Sequence, residues 1–229
     1  MTAFVSTPAQ RAEVAAAGRV LSHFKIVEAF GHISLRLAQR GRILITPRKA
    51  LALVGEADLV ELDLDGTQVA GEAALPLEAA MHLAVYRHRS DVAAIARGHP
   101  RAVAAYACAG KPLQIAHGFG ANLGARVEVF RQPFLVATRE LAEGVAHALG
   151  HGSAVILQSN GMLAVGQSVP HACVQALFLE ETAQVQLLAQ GAGFSPLFYS
   201  PQDAERRHGD DRVHEPLRAW EYYLAAAGQ

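Results

Sequence analysis

Apolar and polar positions switch between two periods along this chain, and the switches mark its elements. From residue 8 to about 28, apolar positions recur at helical spacing, with Thr7 placed as an N-cap and Pro8 in the first turn. Residues 31–37 alternate with period two and predict a half-buried strand. A second strand is predicted at 42–46, ended by Pro47, and a third at 58–63, running into a tight turn at Asp65-Gly66. A helix follows over 76–89, a short strand over 92–96, a helix from Pro100 to about 109 and a strand over 127–130. Thr138 caps a helix that Gly150 stops. Residues 154–158 and 162–165 predict two apolar strands joined by Ser159-Asn160-Gly161, and Pro170 opens a long helix to about 190. Residues 193–211 read as irregular and 214–227 as a last helix.

Helices alternate with strands, and no linker, repeat or low-complexity segment divides them. That pattern predicts one layered α/β domain with a core over about 8–192 and a tail over 193–229. The 229 residues, 51% of them hydrophobic, suffice for one sizeable core. A net charge of −1 gives no field that would favour nucleic acid or an anionic membrane. No apolar run reaches about 18 residues, so no membrane-spanning helix is expected. The N-terminus lacks the basic and apolar regions of a secretory leader. Cys108 and Cys173 form no CxxC pair and are expected to be reduced, which suits a cytoplasmic protein.

Three polar clusters fall at strand ends or strand-to-helix turns, where chemistry is often carried. They are His32 to Arg36 with Thr46 to Lys49, Glu78 with Arg97 to His99, and Ser159 to Gly161. Glu78 and His82 are four residues apart and share a helix face. A carboxylate beside a histidine-bearing turn suits a general base or the neighbour of a metal site. The structural alternative is a solvated helix face. No G-x-S-x-G or P-loop pattern occurs, and residues 118–124 miss the dinucleotide-binding spacing.

Five ordered stretches resemble the class II aldolase/adducin family. Phe30-Gly31-His32-Ile33-Ser34-Leu35-Arg36 looks like its glycine-rich segment, and Ile43-Leu44-Ile45-Thr46-Pro47 like its hydrophobic-I-T-P segment. Residues 77–86, with Glu78, His82 and Tyr86, look like its E-x-x-x-H helix. Arg97-Gly98-His99-Pro100 stands where the family has H-x-H, and Ser159-Asn160-Gly161 where it has x-H-G. Residues 31–34, the His117 segment and residues 219–223 look most like the branch that decarboxylates dihydroxyphthalate-type aromatic acids. The resemblance implies a three-layer α/β/α fold and a homotetramer with sites between subunits. It implies a chemistry in which a divalent ion stabilises the enolate left when a C–C bond breaks. Glu78 falls on the family's acid/base glutamate and His99 on its second metal histidine.

The first and third metal histidines of the family are Arg97 and Asn160 here. Arginine stays protonated and only donates, and a neutral amide is a poor substitute for imidazole on zinc, manganese or iron. No cofactor is therefore expected, and His99 is the only retained ligand position. A guanidinium fork can instead meet a carboxylate or enolate oxygen. In the expected metal-independent lyase, Arg97 and Asn160 bind anionic oxygens and Glu78 or His99 moves the proton. His32, Ser34, Arg36, Thr46, Arg48 and His117 bind the rest of a small carboxylate or phosphate substrate. The reaction is a decarboxylation or retro-aldol cleavage, suited to biosynthesis of a secondary metabolite. Two alternatives stand beside it: a non-catalytic assembly module on the same fold, and a conventional divalent-metal lyase that recruits His32 or His117 beside His99.

Overall fold

The structure, a computed structural model, describes residues 4–37, 41–209 and 214–229. In chain order its elements are α1 (Pro8–His23), β1 (His32–Leu37), β2 (Arg42–Ile45), β3 (Val60–Asp63), β4 (Gln68–Ala70), α2 (Ala79–His88), β5 (Ala94–Gly98) and α3 (Arg101–Ala109). Then come β6 (Leu113–Gln114), β7 (Arg126–Phe130), α4 (Arg139–Leu149), β8 (Ala154–Leu157), β9 (Met162–Gly166), α5 (Val169–Gly191), α6 (Pro201–Gly209) and α7 (His214–Ala226). The strands form one sheet in the order β4-β3-β2-β1-β5-β9-β8-β7-β6. Every neighbouring pair is antiparallel except β7 with β8.

Helices cover both faces of this sheet, giving the expected α/β/α layering. On one face Val14 and Leu21 of α1, Val103 of α3 and Val174 and Phe178 of α5 pack on Ile33, Leu35, Ala96 and Ile156. On the other, Met81 and Val85 of α2 and Val145 and Leu149 of α4 pack on Ile43, Ile95, Val155 and Leu163. Because side chains alternate along a strand, Ile33 and Leu35 point to the first layer while His32, Ser34 and Arg36 point toward α2. Strand β1 is thus buried on both faces rather than half-buried, and its polar positions face a helix.

The boundaries follow local chemistry. A reciprocal capping box between Thr7 and Gln10 starts α1. The helix ends about a turn before the expected residue 28, because Lys25 adopts a left-handed φ of 61°. The N–H of Ile26 then donates to Leu21 and that of Lys25 to Ser22, the Schellman pattern. Thr138 caps α4 and Ser168 caps α5. The first turn of α3 is served by a distant residue: the buried carboxylate of Glu180 accepts the N–H groups of Ala102 and Val103, both at 3.0 Å. This anchors the segment just after His99, where a negative charge also suits the helix dipole.

Two expectations change. The segment read as irregular over 193–211 contains α6 over its described part, and residues 210–213 lie outside the described residues. Strand β5 begins two residues later than the 92–96 pattern suggested and reaches Gly98, so Arg97 is a strand residue. Among the described residues no helix is long and apolar enough to cross a membrane. Both cysteines are free, Cys108 exposed and Cys173 buried.

Candidate active site

Three backbone segments converge where β1, β5 and β9 meet α2. His32 lies opposite Arg97 in the β1–β5 register, and Arg97 lies opposite Leu163. The turn at Ser159-Asn160-Gly161 closes against the end of β5. Gly161 has φ of 78°, and a Cβ there would stand 2.3 Å from the Gly98 carbonyl and 3.0 Å from the His99 Cα. Only glycine fits both the left-handed backbone and that contact, and the contact places Asn160 beside His99. The His99 N–H donates to the Ile26 carbonyl at 2.9 Å.

Glu78 is the hub. It occupies the N-cap position of α2 without capping it, and its carboxylate turns inward. Oε1 accepts from Asn160 Nδ2 at 3.0 Å and from the Val136 N–H at 3.3 Å. Oε2 lies 3.2 Å from Arg97 Nη2 and 3.5 Å from His32 Nε2. Arg97 is completely buried and donates through Nη1 to the Gly98 carbonyl at 2.7 Å, while its Nε and Nη2 make no hydrogen bond among the described residues, so its contact with Glu78 is an ion pair. Burial raises the Glu78 carboxyl, but the bond from His32, the Arg97 charge and the Val136 N–H outweigh it and hold the pKa at about 2. His99 Nε2 lies 3.3 Å from Asn160 Oδ1, and burial with the Arg97 charge lowers its pKa. At neutral pH the cluster therefore holds an ionised carboxylate, a guanidinium and neutral imidazoles.

A further polar stripe runs behind Glu78. His82 and Tyr86 follow it at four-residue steps along α2, facing the polar positions of β1. His32 Nδ1 lies 2.6 Å from His82 Nε2, His82 Nδ1 lies 2.6 Å from Ser34 Oγ, and Ser34 Oγ lies 2.8 Å from the Tyr86 hydroxyl. Burial lowers the pKa of both histidines and raises that of Tyr86. Glu78 and His82 are thus buried against β1, and the solvated-face alternative does not describe them.

A cavity of about 520 Å³ opens over this cluster, lined by His32, Glu78, His99 and Asn160 at its base and by Phe30, Arg48, Lys49, Leu77 and Leu135 nearer its mouth. Its size suits one small ligand. Of the ten sequence-predicted residues, the structure brings Glu78, His99, Asn160, His32 and Arg48 to this cavity and puts Arg97 directly beneath it. Four lie elsewhere. Ser34 is buried in the stripe. Arg36 is held by the carbonyls of Val92, Tyr86 and Arg89, with its guanidinium 4.7 Å from the Tyr86 ring centre. Thr46 is fully buried and ties β2 to β1, its hydroxyl accepting the Ile33 N–H at 3.0 Å. His117 packs edge-on against Phe119, which stacks on Phe178 of α5 in the opposite helical layer. The structure does not bring these four to the cavity: Ser34 and Thr46 are spent on interior hydrogen bonds, Arg36 on backbone carbonyls, and His117 stands half-buried beside Phe119. Lys49 stood in a polar cluster of the sequence without a role, and Phe30, Leu77 and Leu135 were not expected at the site. Leu135 comes from a loop with no periodic signal.

The donors do not match the divalent ion that the resemblance implies. Among the described residues no three His, Cys, Asp or Glu side chains are disposed to hold one. The family's first ligand position carries a cation here, 3.2 Å from the only carboxylate of the cluster. An ion at that place would meet the Arg97 charge and offer Asn160 a weak coordinating role.

The class II aldolase and adducin N-terminal domain matches residues 12–187. The chain belongs to the class II aldolase/adducin family. A 3,4-dihydroxyphthalate decarboxylase from Arthrobacter keyseri is 32% identical, over 80% of this chain and 79% of that protein. One from Terrabacter sp. is 34% identical, over 81% and 83%. The solved structure of an L-fuculose 1-phosphate aldolase superposes with a TM-score of 0.85 at 27% identity, over 91% of this chain and 98% of that one. These relatives make this family member a lyase, of decarboxylase or aldolase-like type, rather than the non-catalytic module considered above.

Proposed function

We propose that this chain decarboxylates a small aromatic acid carrying a hydroxyl beside the departing carboxylate, and that it does so without the divalent ion of its relatives. The observation that carries the reading is the buried Arg97 guanidinium standing at a metal-ligand position against Glu78, beneath a cavity sized for one ring. Two relatives above 30% identity act on 3,4-dihydroxyphthalate. Arg48 and Lys49 suit the carboxylate that stays on the ring, and Phe30, Leu77 and Leu135 suit the ring itself. Those three are at least half exposed, at 77%, 54% and 50%, which supports a tetramer in which a second copy covers the mouth.

In this mechanism Glu78 takes the hydroxyl proton and delivers it to the ring carbon that bears the carboxylate. The C–C bond then breaks, its electron pair returns to the ring, carbon dioxide leaves and the ring oxygen is left anionic. That oxygen takes a proton from water, so one proton is consumed per turnover. Asn160 and His32 donate to the developing oxyanion, and Arg97 acts from below through its charge rather than by contact. A carboxylate with a pKa of about 2 is a weak base on its own. A bound anion that draws the His32 and Asn160 donors to itself makes Glu78 more basic.

A second reading is retro-aldol cleavage of a sugar phosphate, favoured by the likeness to L-fuculose 1-phosphate aldolase and by the two cations at the cavity mouth. Carbon dioxide release from 3,4-dihydroxyphthalate and related ortho-hydroxy acids, measured beside aldehyde release from L-fuculose 1-phosphate, separates the two. Aldehyde without carbon dioxide overturns the decarboxylase. Neither product overturns both.

A further inference from the structure

We propose that His82 is a positioning residue which, with Ser34 and Tyr86, locks His32 in the tautomer carrying its proton on Nε2. The lock makes His32 present a donor, never an acceptor, to Glu78 and to the substrate. Its effect on turnover rests on the lyase reading, but the lock itself does not.

The assignment follows from one fixed end. Glu78 faces a guanidinium at 3.2 Å and accepts from Asn160 and Val136, so it is an anion with only lone pairs to offer. The His32 Nε2 that faces it at 3.5 Å therefore carries the proton. A neutral imidazole has one proton, so His32 Nδ1 is an acceptor and the nitrogen 2.6 Å away, His82 Nε2, must donate. His82 Nδ1 is then an acceptor, the Ser34 hydroxyl 2.6 Å away donates to it, and the Tyr86 hydroxyl donates to Ser34. With both imidazoles neutral, every proton in the row points toward Glu78; a doubly protonated His32 would instead reverse the row from Nδ1 outward, to Tyr86 donating to the Ala93 carbonyl.

The row orients but does not conduct. At its far end, among the described residues, the Tyr86 hydroxyl meets Ser34 and, at 3.5 Å, the Ala93 carbonyl, which cannot take up a proton. The guanidinium of Arg36 lies over the Tyr86 ring. A proton taken by Glu78 has no exit through His82, so it returns to the substrate, as the decarboxylation requires. Outer hydrogen-bond partners that orient metal-ligating histidines are worth about 10- to 100-fold in activity, and the same order is expected for a histidine oriented in this way without a metal.

The test is ¹⁵N NMR of the imidazole nitrogens of the full-length protein at neutral pH without substrate, with His32 and His82 assigned by difference against His32→Asn and His82→Gln. The expected result is a protonated Nε2 and a bare Nδ1 on both rings. A proton on His32 Nδ1, or two doubly protonated rings, overturns the lock. In turnover assays His82→Gln, which keeps an N–H toward His32, should hold most of the rate. His82→Leu should lose about 10- to 100-fold in kcat with a smaller change in KM. Equal losses in the two variants would make His82 merely structural and overturn the positioning role. If His82→Leu does not fold, the NMR result and His82→Gln still decide. Locked tautomers in a protein that decarboxylates no acid would leave the lock standing and overturn the reaction alone.

Discussion

Replacing Arg97 with methionine probes the pair on which the site is built. The substitution keeps the approximate length of the buried stem and removes the charge facing Glu78 at 3.2 Å. Deleting one partner of a buried ion pair costs about 3–5 kcal/mol, because the other charge is left stranded. The proton equilibrium of Glu78 gives an independent figure. Its carboxyl falls from 4.5 to about 2 on folding. That depression is worth about 3.4 kcal/mol, shared among His32, Arg97 and Val136. Because the folded pKa is depressed, that stabilisation is complete above pH 4.5 and fades as pH falls toward 2, with about 2 kcal/mol gone by pH 3. Urea unfolding at one fixed protein concentration reads both effects. Arg97→Met should be about 3–5 kcal/mol less stable than wild type at pH 7, and the gap should narrow by up to about 2 kcal/mol by pH 3. Adding Glu78→Gln to Arg97→Met should recover part of the loss. An Arg97→Met protein within about 1 kcal/mol of wild type at pH 7, or a gap independent of pH, would refute the buried-pair reasoning.

Glu78→Gln alone should lower turnover by about 10²- to 10⁴-fold, and full activity would remove Glu78 from the proton transfer. Unlike what a solvated helix would allow, it should also destabilise the fold, since it strands the Arg97 guanidinium; differential scanning calorimetry checks this. Asn160→Ala should cut kcat/KM by about 10-fold or more by removing donors to both Glu78 and the oxyanion, and an unchanged kcat/KM would place the substrate elsewhere. Gly161→Ala should destabilise by more than about 1 kcal/mol, because its Cβ would meet the Gly98 carbonyl at 2.3 Å in a left-handed backbone; equal denaturation midpoints would contradict the packing. Arg97→His with Asn160→His should create a three-imidazole set around His99 and bind one divalent ion per chain, read by calorimetric titration with zinc.

The order of elements was readable because periodicity, caps and stops agree: Thr7, Thr138 and Gly150 mark ends that the structure keeps. The sheet order was not readable, since pairing is long-range and period-two patterns carry no neighbour. Strand β4 and the two-residue β6 were too short to show a period. The site was half legible. The family resemblance grouped Glu78, Arg97, His99 and Asn160, and the structure brings them together with His32 and Arg48. Ser34 and Arg36 are polar residues on the alternating strand β1, a pattern that suggests an open face. Here that face meets the polar stripe Glu78, His82 and Tyr86 on α2, and the two satisfy each other in the interior. The four-residue repeat of that stripe was the available sign.

The most direct test of the account is the metal content of untagged, chelator-free protein by plasma mass spectrometry, read against its turnover of the ortho-hydroxy acid proposed as its substrate. The account predicts far less than one transition-metal ion per chain with turnover undiminished by a chelator. One ion per chain, lost together with activity on chelation and restored with it, would contradict the replacement of the family's metal by Arg97.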